Sequence, residues 1–183
     1  SEVTPRFARH FTVLCVPPSS DETMALIFTS ILDGFLKKFD PEIQKMAKGL
    51  VAGAIEVYNR ISAELLPTPS KFHYTFNLRD ISKVFQGVLM VDKRKIKSTD
   101  DFGKLGMHEI QRVFYDRLTD PGDQEWFANV IMEIQGRAFT TSYEADLIFG
   151  SKPIIFVDFL KAGADVKYYE EAPDMNKLTG ILD

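Results

Sequence analysis

One cysteine in 183 residues leaves no partner for an intrachain disulfide, and the chain reads as one that works in a reducing compartment. That residue, Cys15, sits in the apolar run Phe11 to Val16, where a free thiol is expected to serve as a small buried apolar group. Nothing beside it in sequence supplies the cation that would activate a thiolate. Excess positive charge is missing too. The 22 Lys and Arg are outnumbered by 26 Asp and Glu, a net charge of −4, which argues against a nucleic-acid surface built on basic residues. The local run Lys93, Arg94, Lys95 and Lys97 is expected to be a solvated loop. No apolar stretch reaches the roughly 20 residues that a membrane span needs. Ser1 to Pro5 lacks the basic start and apolar core of a signal peptide, and no Met opens the chain. The sequence enters an apolar run almost at once, as expected of a segment excised from something longer.

Catalytic signatures are absent as well. There is no G-x-x-x-x-G-K-S/T loop to cradle phosphates, and Gly150-Ser151-Lys152 has the wrong order. Neither a Gly-rich dinucleotide turn nor a G-x-S-x-G elbow occurs. Ile154 to Asp158 imitates an apolar strand ending in a Mg²⁺-binding Asp. The next residue is Phe159, however, where a hydrolytic site would place Glu. His108-Glu109 imitates the start of an H-E-x-x-H zinc motif, but the fourth residue on is Arg112, a cation. Glu109 and Arg112 are expected to form an ordinary i, i+3 ion pair of roughly 0.2–0.5 kcal/mol. No catalytic residue and no metal ligand is assigned.

What the sequence does contain is helix periodicity with clear starts. Ser19 and Glu22 have capping-box spacing before Met24, Phe28, Leu32 and Phe35. Asp40-Pro41 and Asp120-Pro121 each place an Asp before a Pro in the first helical position. The first opens a stripe from Ile43 to Ile61, ended by Pro67 and Pro69; the second opens one from Trp126 to Ile134. Asn77 is a plausible cap for a helix carrying Ile81, Val84, Phe85 and Val88, and Phe102 to Leu118 reads as another helix. Phe11 to Val16, closed by Pro17-Pro18, reads as one buried strand whose sheet partners lie elsewhere. Ile154 to Phe159 reads as a strand or an extended docking segment, and Asp174 to Asp183 as the start of a helix. The fold class expected is mainly α: a helical bundle with one short N-terminal strand.

Three segments resemble one family. They are Pro5 to Val13, Pro67 to Gly87 (with Phe76-Asn77-Leu78-Arg79-Asp80 at its centre), and Met107 to Leu118. In order and spacing they are similar to the third AAA+ module of dynein heavy chains, axonemal rather than cytoplasmic. Tyr168 to Asp174 is similar to the segment leading into the fourth module. The resemblance implies a division into residues 1–18 (last strand and finger region of an AAA+ large subdomain), 19–150 (helical lid) and 151–183 (linker to the next module). It implies that Arg79 is a sensor-2 arginine reaching the phosphates of ATP or ADP held by a large subdomain. Arg6 or Arg9 would be an arginine finger directed at the neighbouring module's nucleotide. The residues themselves also permit Arg79 to be a surface ion pair with Asp80 or Asp33, and Arg6 or Arg9 to cap or pair with the preceding helix end. The implied partners are neighbouring AAA+ modules, other dynein subunits and microtubules, with no nucleic acid and no membrane, in the cytoskeleton of a ciliary axoneme. The parent chain would be an ATPase motor with a coiled coil. The competing expectation is a stand-alone helical module that binds a protein partner in a groove without any nucleotide.

Overall fold

The helix-start signals dictate most of the architecture. A computed structural model describes residues 3–138, 142–150, 153–160, 167–172 and 175–182. Among these are eight α-helices and one small two-stranded ribbon. Helix α1 spans Pro5–Ala8, α2 Asp21–Leu36, α3 Pro41–Glu64 and α4 Leu78–Val88. Helix α5 spans Thr99–Phe114 and continues into a 3-10 turn over Tyr115–Arg117. Helix α6 is Pro121–Ala138, α7 Ala145–Phe149 and α8 Met175–Leu182. The fold is thus mainly helical, as the periodicity predicts.

Local chemistry sets the boundaries. Ser20, not Ser19, caps α2, because its Oγ accepts from the Thr23 N–H at 3.2 Å. Helix α3 stops at Glu64, short of Pro67. Helix α5 starts three residues earlier than the apolar stripe predicts. Ser98 and Asp101 form a reciprocal box, Asp101 N–H to Ser98 Oγ at 3.1 Å and Ser98 N–H to Asp101 Oδ2 at 3.0 Å. At its far end the last turn tightens to 3-10 geometry, so the α-helix ends at Phe114 rather than Leu118.

Helix α3 is the hub, packed by α2, α4, α5 and α6. Its stripe from Ile43 to Ile61 is buried, as are Phe28 and Leu32 of α2 and Ile81, Val84 and Phe85 of α4. Phe102, Leu105 and Phe114 of α5 and Phe127, Ile131 and Ile134 of α6 complete the core. Phe28 stacks on Phe85 with ring centroids 4.3 Å apart. Each such side chain contributes roughly 1.5–3 kcal/mol through burial. Helices this short hold together by that shared face rather than by propensity.

The sheet partners expected for the N-terminal run are not among the described residues. Phe11 to Val16 is neither paired nor buried; Leu14 and Val16 are 82% and 88% exposed, and Cys15 is exposed with them. An extended run becomes a strand only when neighbours accept and donate its backbone hydrogen bonds; among the described residues its one backbone bond, Phe11 N–H to Ala8 O at 3.0 Å, is a turn onto α1. The strands that do occur are in the tail. β1 (Phe156–Val157) pairs antiparallel with β2 (Glu170–Glu171), and Tyr169 makes a parallel bridge to Val91. The expected strand from Ile154 is therefore only two residues long. Ser151, Lys152, Pro173, Asp174 and Asp183, named in the readings above, lie outside the described residues.

Candidate functional site

The start of α4 combines a polar cap, an unpaired guanidinium and a buried carboxylate. Asn77 Oδ1 accepts from the Arg79 N–H at 2.9 Å, and Asp80 Oδ2 accepts from the Asn77 N–H at 3.1 Å. The carboxylate of Asp80 thereby turns inward, where Lys83 Nζ lies 3.2 Å from Oδ1 and an Arg117 Nη 3.1 Å from Oδ2. Burial alone would raise the pKa of Asp80. The Asn77 N–H, Lys83 and Arg117 outweigh that and hold it below the ordinary carboxylate value. Arg79 is exposed and has no ion-pair partner among the described residues, so neither Asp80 nor Asp33 takes it up.

Arg79 lines an open cleft of about 330 Å³ between the start of α4 and the end of α5. Lys83, Arg112 and Arg117 line it as well, and Asp80 is the one carboxylate among its lining residues. Of these four cations Lys83 and Arg117 pair with Asp80 and Arg112 pairs with the buried Glu109 behind the cleft, which leaves Arg79 without an ion-pair partner among the described residues. The first turn of α4 adds its own partial positive charge, since its leading N–H groups lack helical acceptors. This arrangement is chemically fitted to hold a phosphate or another polyanion. Arg117 is further engaged by the protein itself, because its Nη2 donates to the carbonyls of His73 and Thr75 at 2.9 and 3.1 Å.

Behind the cleft lies a network that the sequence does not announce. The side chain of Glu109 is 0% exposed. Its Oε2 accepts from Arg112 Nε and Nη2 at 3.0 and 2.6 Å, and its Oε1 accepts from the Tyr169 hydroxyl at 2.5 Å. His108 spans Ile154 O and the Tyr169 oxygen, each at 3.1 Å. Burial lowers the pKa of His108, and burial with the Glu109 contact raises that of Tyr169. Glu109 and Arg112 are therefore paired as expected, but as a buried anchor rather than a surface pair. Gly87 makes room for it: a Cβ there would overlap the Glu109 carboxylate.

The basic loop of residues 93–97 is likewise more than solvated surface. Lys95 pairs with Glu170, and Arg94 lies 4.7 Å from the centre of the Tyr168 ring. These contacts, with β1, β2 and the His108 network, strap the tail onto α5.

Arg6 and Arg9 are not brought to this site. Both are exposed at α1, neither lines the cleft, and Arg9 Nε donates to His10 Nε2 at 3.1 Å. Among the described residues no group of three His, Cys, Asp or Glu side chains is placed to hold a metal ion. No described helix is long and apolar enough to cross a membrane.

Of the cleft cations, only Arg79 is singled out by sequence. Lys83 was within reach, four residues on and so on the same face of α4. Arg112 and Arg117 come from another helix, and their convergence depends on how α4 and α5 pack.

Comparison with known proteins places these features among relatives. A family model for the AAA+ lid domain matches residues 50–149. Dynein axonemal heavy chain 6 of Homo sapiens is 43% identical over 182 residues, 98% of this chain and 4% of the relative. Dynein axonemal heavy chain 12 of Mus musculus is 37% identical over 198 residues, 99% of this chain and 6% of the relative. Dynein axonemal heavy chain 3 of Mus musculus is 37% identical over 194 residues, 100% of this chain and 5% of the relative. The chain therefore spans about one-twentieth of the length of these curated relatives.

Proposed function

Because this chain belongs to the AAA+ lid family and is a dynein heavy-chain segment, we propose that it closes over a nucleotide held by a large subdomain elsewhere in the heavy chain. In this reading Arg79 is a sensor-2 arginine that contacts the phosphates of ATP or ADP. The observation that carries it is the Arg79 guanidinium at the start of α4, without an ion-pair partner among the described residues, in a cleft whose other three cations are held by Asp80 and Glu109. Closure turns the bundle as a rigid body, since a packed helical core shifts rather than deforms. The strapped tail then carries that turn to the next module of the ring. The chain itself supplies no phosphate-cradling loop, so hydrolysis belongs to the parent motor and not to this segment.

We further propose that the segment belongs to the third module, with residues 1–18 ending the large subdomain, 19–150 forming the lid and 151–183 leading onward. Arg6 or Arg9 then acts as a finger toward the neighbouring module's nucleotide, consistent with both being exposed and away from this chain's own cleft. Its partners are the adjacent modules and, through the parent chain, other dynein subunits and microtubules. Its place is the ciliary axoneme, by analogy with relatives named as axonemal heavy chains.

The test is Arg79→Ala in the intact heavy chain. The expected result is a fall of about tenfold in nucleotide affinity at this module, the loss of one charge-assisted contact, together with slowed microtubule gliding. Unchanged affinity and unchanged gliding would overturn the reading. The competing groove-binding module is favoured by one feature, an apolar groove of about 260 Å³ between α2 and α4, lined by Ile27, Ile31, Leu78 and Leu89 among others. It predicts that Arg79→Ala is silent while Ile31→Asp abolishes a protein contact.

A further inference from the structure

We propose that Arg112 is a second phosphate-contacting side chain of the cleft, and that the tail sets its position through Glu109 and Tyr169. The inference rests on the lid reading above and extends it to a residue of another helix. Of the three cations that join Arg79, Lys83 and Arg117 are turned toward Asp80, and Arg117 is further held by two carbonyls. Arg112 differs. One edge of its guanidinium, Nε and Nη2, is held on Glu109, while no described residue accepts from Nη1. Its side chain is 45% exposed and lines the cleft. A guanidinium gripped along one edge and open along the other is pre-organised to donate to an anion, with little freedom left to lose on binding.

The grip is shared with the tail. Glu109 gives one oxygen to Arg112 and the other to the Tyr169 hydroxyl. Tyr169 in turn is fixed by His108 and by its backbone bridge to Val91. Glu109 is fully buried, and Gly87 presses on it from α4, so the carboxylate has one seat. Removing the Tyr169 donor frees that seat to shift, and Arg112 shifts with it. Anion binding in the cleft and docking of the tail therefore favour each other, as reciprocal linkage requires.

Hydrogen–deuterium exchange of the intact heavy chain, titrated with ADP, reads this locally. In the unsubstituted protein ADP is expected to slow exchange in peptides covering 78–83, 107–117 and 167–172. Arg112→Gln should raise the ADP concentration for half-protection of 78–83 by about tenfold. Tyr169→Phe should raise it in the same direction, and should add nothing in the Arg112→Gln background. Exchange in α3 without ADP serves as the control for folding. If Arg112→Gln loosens α3, Tyr169→Phe carries the test, and an unchanged half-protection overturns the inference. If Arg79→Ala shifts the titration and Arg112→Gln does not, the inference falls and the lid reading stands. If ADP protects none of these peptides, or Arg79→Ala is silent, the lid reading falls. Additive effects of the two substitutions overturn the positioning by the tail.

Discussion

The Tyr169 hydroxyl donates to the Glu109 carboxylate at 2.5 Å, so a residue of the tail completes the coordination of a charge buried in the bundle. Replacing the donor with an equally shaped apolar ring leaves that oxygen without a bond. Tyr169→Phe is therefore expected to destabilise the chain by about 1–3 kcal/mol. Urea denaturation of the purified chain measures it, and a midpoint equal to that of the unsubstituted chain would contradict the assigned contact.

Gly87 and Gly34 are expected to respond oppositely to alanine. Both lie within helices, where alanine is favoured over glycine by roughly 0.5–1 kcal/mol. At Gly34 an added Cβ meets nothing within 4 Å, so Gly34→Ala should stabilise by that amount. At Gly87 it collides with the Glu109 carboxylate, a buried charge that cannot move into solvent. Gly87→Ala should destabilise by about 1–3 kcal/mol despite the helix preference. Thermal denaturation of the pair gives the two signs, and a shared sign would refute the packing described.

How legible all this was in the sequence differs by element. The helices and their buried stripes follow from periodicity, because an apolar face at 3.6-residue spacing has only one way to be buried. Asn77 was readable as a cap because capping is local. Ser19 was misread for Ser20, since two adjacent serines carry the same signal and only the reach of one Oγ to Thr23 decides. Glu109 read as a surface partner of Arg112, because i, i+3 spacing says nothing of burial, and Tyr169 lies 60 residues away. Phe11 to Val16 reads as a strand with partners elsewhere, and within this chain it stays exposed because apolar composition does not by itself supply a partner. The family resemblance carried Arg79; the surrounding cations had to come from the packing of α4 on α5.

Acid should loosen the tail through His108. Its folded pKa lies below the ordinary value of 6.5, chiefly through burial, with Glu109, the Ile154 carbonyl and Asp116 opposing and Arg112 reinforcing the shift. Above that value both the folded and unfolded forms are neutral, and stability is insensitive to this group. As pH falls below 6.5 the unfolded chain takes up the proton first, so stability declines until the folded His108 is itself protonated. His108→Gln should flatten that decline. Denaturation midpoints between pH 7.5 and about 5 test it; identical slopes for both chains would contradict the lowered folded pKa.

The exposed apolar residues near the N-terminus should govern solubility rather than stability. Val13, Leu14 and Val16 are 74%, 82% and 88% exposed, so replacing all three with Ser should change the unfolding free energy by no more than about 0.5 kcal/mol per site. Light scattering of the concentrated chain should fall, because a contiguous exposed apolar run promotes association. A large loss of stability would mean that the segment is part of the core.

The most direct test is an electron cryomicroscopy structure of the intact heavy chain with nucleotide bound at the module that contains this lid. The measurement is the distance from the Arg79 guanidinium to the closest phosphate oxygen. A charge-assisted contact of roughly 2.7–3.2 Å is predicted, with Arg112 on the same anion. An Arg79 side chain directed into solvent, with the phosphates held wholly by other residues, would contradict the account.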